Sequence, residues 1–251
     1  MARGKIYYKN AEELELMRRS GEISALALKE TIAAAKPGVS LLDLEKIAIK
    51  EINRHGATAA FQSVQNYRFA TCLTINDELV HGIPRDIKLK KGDLLSIDLG
   101  AKFKGWCTDC AWSLVVGEED NFFLKIGEKG MWAGIDKAVV GNHIGDISQA
   151  IQEVVEGAGF SVSRSLIGHG VGKELHEAPE VPGYGQAGEG VIIKEGMVLA
   201  IEVIYAGGRS DVVLADDGWT LRTEDHSLGG LFEMSVIVGK NPEVITDWRN
   251  V

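Results

Sequence analysis

Basic clusters, long apolar runs, paired cysteines and linker-like tracts are all scarce in this chain of 251 residues, and each scarcity excludes something. The net charge is -9, and only a few scattered lysines and arginines lie near the start, so no concentrated basic patch exists to neutralise phosphates; a nucleic-acid partner is not expected. No stretch is apolar over the length needed to span a bilayer, so no membrane partner is expected. The opening MARGKIYYKNAEELELMRR lacks the apolar core and small-residue cleavage site of a secretory signal, which makes the cytoplasm the expected compartment. The three cysteines, Cys72, Cys107 and Cys110, cannot all pair, which suits reduced, buried thiols. Cys107-Thr-Asp-Cys110 matches Cys-x-x-Cys, but its flanks read as strand rather than as the helix start of a redox pair. No Pro/Gly/Ser-rich boundary interrupts the chain, so a single domain over residues 1–251 is expected.

What is present is an ordinary globular composition, 45% hydrophobic and 25% charged, enough for a large core. Asn10 and Glu13 have capping-box spacing, and apolar positions from Leu14 to Ala35 recur every three to four residues until Pro37-Gly38, which predicts a first helix. A second helix is predicted from Ser40 to a stop at Gly56. Strands are predicted in TCLTI, DLLSIDLGA and CAWSLVVG.

The chain also echoes itself. Gly38…Asp43-Leu44…Ile52…Gly56 reappears as Gly141…Asp146-Ile147…Val155…Gly159, and Lys91-Gly92-Asp93-Leu94-Leu95-Ser96-Ile97-Asp98 resembles Glu195-Gly196-Met197-Val198-Leu199-Ala200-Ile201-Glu202. His81-Gly82-Ile83-Pro84 and His169-Gly170-Val171-Gly172 precede the two strands. The pattern predicts two α+β halves on one plan, delivering acids and histidines to a shared centre.

The acids stand where acids are costly. Asp98 and Glu202 are each expected to end an apolar strand, and Glu233 lies inside Leu231-Phe232-Glu233-Met234-Ser235-Val236-Ile237-Val238. Each needs a proton, a partner or a metal. Asp109 lies beyond the turn Lys102-Phe103-Lys104-Gly105, so an antiparallel hairpin would make it a neighbour of Asp98. With His169, the four carboxylates form a donor set for hard or borderline divalent ions, and their charge suits two ions better than one. Two such ions imply hydrolytic chemistry.

Asn76-Asp77-Glu78-Leu79-Val80-His81-Gly82-Ile83-Pro84, the Asp98/Asp109 pair, Gly168-His169-Gly170-Val171-Gly172…His176-Glu177-Ala178-Pro179, Ile201-Glu202 and Phe232-Glu233 together resemble the methionine aminopeptidases of the short bacterial type, along nearly the whole chain. The resemblance implies an α+β pita-bread fold, with two pseudo-symmetric halves of antiparallel sheet covered by helices. It implies removal of the initiator methionine from nascent polypeptides by a water or hydroxide held between two divalent ions, which could be Mn, Fe, Co or Zn. Asp98, Asp109, His169, Glu202 and Glu233 would be the ligands, with Asp109 and Glu233 bridging. Glu202 would handle the proton, His81 would sit near the leaving nitrogen, and His176 would bind the carbonyl oxygen. Tyr67, Cys72 and Trp219 fall where the family has its methionine pocket. The implied partners are nascent chain N-termini, with at most transient proximity to the ribosome, and a monomer is expected.

The chain departs from the family pattern at Val203 and Met234, which follow the two glutamates in place of the usual proline and of histidine or aspartate, and at Phe61 and Leu175 in the pocket. A proline-specific aminopeptidase of the same fold would share the five ligands, though such relatives commonly carry an extra N-terminal domain. Gly183-Tyr184-Gly185-Gln186-Ala187-Gly188 matches the dinucleotide fingerprint, but Pro182 precedes it and Val191-Ile192-Ile193 follows, so a loop is predicted. Neither a Gly-x-Ser-x-Gly elbow nor a His-Glu-x-x-His helix is present.

Overall fold

A computed structural model describes residues 4–251. Four helices form: α1 (Ala11–Ala34), α2 (Leu41–Arg54), α3 (Phe122–Ile135) and α4 (Ile144–Gly157). The α1 start has the predicted capping box, in which Asn10 accepts from the Glu13 N–H and the Glu13 carboxylate accepts from the Asn10 N–H. Ser40 caps α2, and Gly56 follows its end at φ +74°, a left-handed conformation that glycine adopts without a Cβ penalty.

Seven strands make the central path of the main sheet: β1 (Thr71–Ile75), β2 (Leu94–Leu99), β3 (Cys110–Val115), β4 (Gly168–Gly170), β5 (Glu177–Val181), β6 (Val198–Ala206) and β7 (Gly229–Ile237). Their spatial order is β5-β4-β6-β7-β3-β2-β1, every pairing antiparallel. Short strands at 161–162 and 243–244 extend it beside β6 and β7. The two halves predicted from the repeat are therefore joined in one continuous sheet. One helix pair, α1 with α2, packs beside β1 and β2; in the other, α3 packs on β6 and β7, and α4 packs against α3 and β5.

The strands read as nearly unbroken apolar runs because both faces of the sheet are covered. On β6, Leu199, Ile201, Val203 and Tyr205 enter the main core beneath the helices, while Val198 and Ala200 point the other way. On β7, Phe232, Met234 and Val236 face the helices, and Leu231 and Ile237 do not. The acids occupy that second face. Glu202 does not end its strand, as expected from the sequence, but sits at its middle, because the apolar run continues through Val203-Ile204-Tyr205-Ala206 with the same alternation. The predicted hairpin turn forms: Phe103 pairs with Trp106 across Lys104 and Gly105, both at positive φ. The glycine-rich segment 183–188 is a loop between β5 and β6, and the three cysteines are free and buried.

Candidate active site

Register builds the centre. Across the sheet, Cys72 pairs with Asp98, Asp98 with Ala111, Ala111 with Glu233, and Glu233 with Glu202, which places all five on one lateral row. Side chains in one row share a face, and only every second residue along a strand returns to it. One step along, His169 pairs with Ala200 and Ala200 with Ser235. Asp109 joins that second row, two residues before Ala111, where its N–H donates to Ser235 Oγ at 3.0 Å and its carbonyl accepts from the same hydroxyl at 2.8 Å. The hairpin therefore makes Asp98 and Asp109 diagonal neighbours, as expected. Between the five donors stand only Ala111, Ala200 and Ser235, so the middle of both rows is open.

His169 Nε2 lies 3.9 Å from Asp109 Oδ2 and 4.0 Å from Glu233 Oε1. Its Nδ1 is 2.9 Å from the Gly170 carbonyl, a contact that takes the Nδ1 proton and leaves Nε2 as an acceptor facing the acids. Burial holds His169 neutral by pushing its pKa down to about 3. Burial drives Asp98, Asp109 and Glu233 well above the usual carboxylate range, reinforced by the neighbouring carboxylates, and raises Glu202 to about 7. Asp98 Oδ1, Asp109 Oδ1 and Glu233 Oε1 are buried without a hydrogen-bond partner.

Acceptors packed this way, without donors to meet them, fit a cation. Ligand atoms of His169, Glu202 and Glu233 lie within 4.8 Å of one another, and so do those of Asp98, Asp109 and Glu233. The two groups share Glu233. A third group joins Asp109 and His169 to His176.

The acids form one end of a cavity of about 330 Å³. His81, His176, Tyr67, Cys72, Trp219, Phe61 and Leu175 line it with them, so the structure brings the candidate ligands, the two catalytic histidine candidates and the candidate pocket residues to one place. Tyr67 donates to the Thr71 carbonyl at 2.7 Å, Cys72 donates to Tyr67 Oη at 3.3 Å, and the Trp219 ring meets Tyr67 edge-on at 5.0 Å. His81 reaches the cavity from a backbone at φ +59°, beside Gly82, where an added Cβ would lie 2.3 Å from the Leu73 carbonyl oxygen. The His176 ring stands edge-on to His169, 4.4 Å between centroids, and burial lowers the pKa of His176.

Residues 15–229 match the model of metallopeptidase family M24. The methionine aminopeptidase of Clostridium perfringens is 40% identical over 245 residues, covering 96% of this chain and 98% of its own. Methionine aminopeptidase 1 of Bacillus subtilis is 41% identical over 237 residues, 93% of this chain and 95% of its own. This chain belongs to the methionine aminopeptidase family. Among solved structures, the methionine aminopeptidase of Thermotoga maritima superposes with a TM-score of 0.94 at 37% identity, covering 96% of this chain and 99% of its own. The Pyrococcus furiosus prolidase, 23% identical with a TM-score of 0.77, shares the fold; this chain covers 65% of it.

Two positions where the chain departs from the methionine aminopeptidase pattern lie away from the acids. Val203 and Met234 alternate to the helix-covered face, where both are fully buried; Met234 Sδ accepts from Thr246 Oγ1 at 3.4 Å. Phe61 and Leu175 do enter the cavity. Reading the sequence missed the small residues of the two rows, Ala111, Ala200 and Ser235. Their signal is a small side chain two residues from an acid on an otherwise bulky strand.

Proposed function

We infer that the chain releases the amino-terminal methionine of polypeptides by metal-dependent hydrolysis. The observation that carries this reading is one cavity joining five converged metal donors to an apolar slot lined by sulfur and aromatic groups, in a member of the methionine aminopeptidase family.

Asp98, Asp109, His169, Glu202 and Glu233 would hold two divalent ions. Mn, Fe, Co and Zn all suit carboxylate and imidazole donors. Bound there, the ions would polarise the scissile carbonyl and make water acidic enough to attack at neutral pH. Hydrolysis breaks the peptide C–N bond while water oxygen joins the carbonyl carbon. Glu202 takes the proton of that water and passes it to the departing nitrogen. His176 donates to the carbonyl oxygen as negative charge grows on it, and His81 stands by the leaving nitrogen. Tyr67, Cys72 and Trp219, with Phe61 and Leu175, exclude water from the methionine side chain, whose thioether favours sulfur and aromatic neighbours. Because the donors come from strands of both halves, the chain works as one catalytic domain. Its free thiols suit the cytoplasm, where new polypeptides are the substrate, and it acts as a monomer, near the ribosome only transiently. Among the described residues no helix is long and apolar enough to cross a membrane.

Release of free methionine from Met-Ala-Ser by metal-stripped protein, with and without Mn or Co, tests the reading, with Ala-Pro-Ala as the competing substrate. Metal-dependent release from the first peptide alone is expected. Cleavage confined to the proline peptide would move the chain to the rival activity of the shared fold.

A further inference from the structure

The segment before α1 contributes nothing to the donor set, yet it carries a buried cation. The Lys9 side chain is 2% exposed, and its Nζ lies 2.8 Å from Oε2 of Glu177, itself 10% exposed. The Lys9 N–H donates to the Gly196 carbonyl at 2.7 Å, which fixes the segment to the turn before β6. The second oxygen of Glu177 is also engaged. Oε1 accepts from the Lys173 N–H at 2.7 Å and from the Glu174 N–H at 3.2 Å. One carboxylate thus closes the turn 173–177 on one side and ties it to Lys9 on the other. The pair is packed against Gly172, where an added Cβ would lie 2.6 Å from Lys9 Cε and 2.8 Å from Glu177 Oε1.

That turn presents Leu175 and His176 to the cavity, and His176 directly precedes Glu177. A buried ion pair is weak evidence for stability, since two charges must leave water to form it. Its geometric effect is stronger. It restricts a short turn from both ends, and a displacement of about 1 Å in a group that must meet a developing charge costs roughly 100-fold in rate.

We propose that Lys9, through its buried ion pair with Glu177, is a positioning residue that holds the His176 turn in place for the reaction. This rests on the role given to His176 above. The test replaces the pair by the uncharged Lys9→Met/Glu177→Gln, which leaves no lone buried charge, in both the wild-type and His176→Ala backgrounds. In the wild-type background kcat on Met-Ala-Ser should fall about 10- to 100-fold, with KM within about threefold and metal content unchanged. In the His176→Ala background the double change should cost nothing further. An equal loss in both backgrounds, or no loss in either, overturns the proposal. A readout independent of turnover is the ring NMR signals of the six histidines. The His176 signal should move or broaden in the double variant while that of surface His226 stays, and an unmoved His176 signal also overturns it. If wild-type protein releases no methionine, the proposed activity falls, and the NMR comparison still decides whether the pair holds the turn.

Discussion

Ala111 shows how much of the centre depends on a residue that has no chemistry. It lies between Asp98 and Glu233 on the lateral row and is fully buried, so the room in which their free oxygens converge exists because its side chain ends at Cβ. Ala111→Leu should fill that room. Titration of metal-stripped variant with Mn should show affinity at least tenfold weaker, with an unchanged far-UV spectrum and a stability cost of about 1–3 kcal/mol from overpacking. Unaltered metal affinity would mean that the donors do not converge there. His176 allows a prediction of another kind. In the proposed role, donating to the carbonyl oxygen as charge develops on it, loss of the ring in His176→Ala should lower kcat on Met-Ala-Ser by about 100- to 1,000-fold, with a much smaller change in KM. A change confined to KM would assign it to ground-state binding.

At the scale of the element, the legible parts are those whose local chemistry agrees with the tertiary structure. The α1 cap, the stops at Pro37-Gly38 and Gly56, and the Lys104-Gly105 turn all form as their residues dictate. Helix α3 was not legible. Its sequence FFLKIGEKGMWAGI carries Gly127, Gly130 and Gly134, which lower helix propensity and blur the apolar stripe. The structure supplies the reason. An added Cβ on Gly127 would lie 2.4 Å from Tyr205 Oη, and one on Gly134 would lie 2.8 Å from the Ile151 side chain, so these glycines let α3 approach both β6 and α4 closely. Tyr205 uses that approach to donate to the Phe123 carbonyl at 2.7 Å. Gly127→Ala, although it raises propensity, should therefore destabilise the protein by about 1–3 kcal/mol, read as a lower urea midpoint at unchanged slope. A raised midpoint would show that the contact with Tyr205 can relax. Glu202 was likewise misplaced at a strand end, because an acid in an apolar run looks like a terminus until the alternation beyond it is counted. The five candidate donors, Asp98, Asp109, His169, Glu202 and Glu233, could be named from the sequence as acids and a histidine in costly positions. Bringing them together depends on register across five neighbouring strands, β4, β6, β7, β3 and β2, which no local pattern fixes.

Over the whole molecule, the buried acids make stability depend on pH and metal together. In the metal-free protein Asp98, Asp109 and Glu233 titrate well above their usual range and Glu202 at about 7. A group whose folded pKa is raised gives stability that is present below its unfolded pKa and is lost as pH rises through the folded value. His169, lowered to about 3, and His81 and His176, also lowered, act in the opposite direction, but only up to their unfolded value of 6.5. Above 6.5 the carboxylates act alone. The melting temperature of metal-stripped protein should therefore fall between about pH 6.5 and 8. Saturating Mn should raise it and release protons, since the ligands must ionise to bind and the ion favours the folded state. A flat profile without metal would contradict the burial of the acids.

The most direct measurement is a joint titration of metal-stripped protein, following bound Mn by calorimetry and free methionine released from Met-Ala-Ser in the same samples. Release should rise with occupancy to a plateau at no more than two ions per chain, and Asp109→Ala should lose both binding and release. Methionine release at full rate before any ion is bound, or tight binding in Asp109→Ala with release intact, would contradict it.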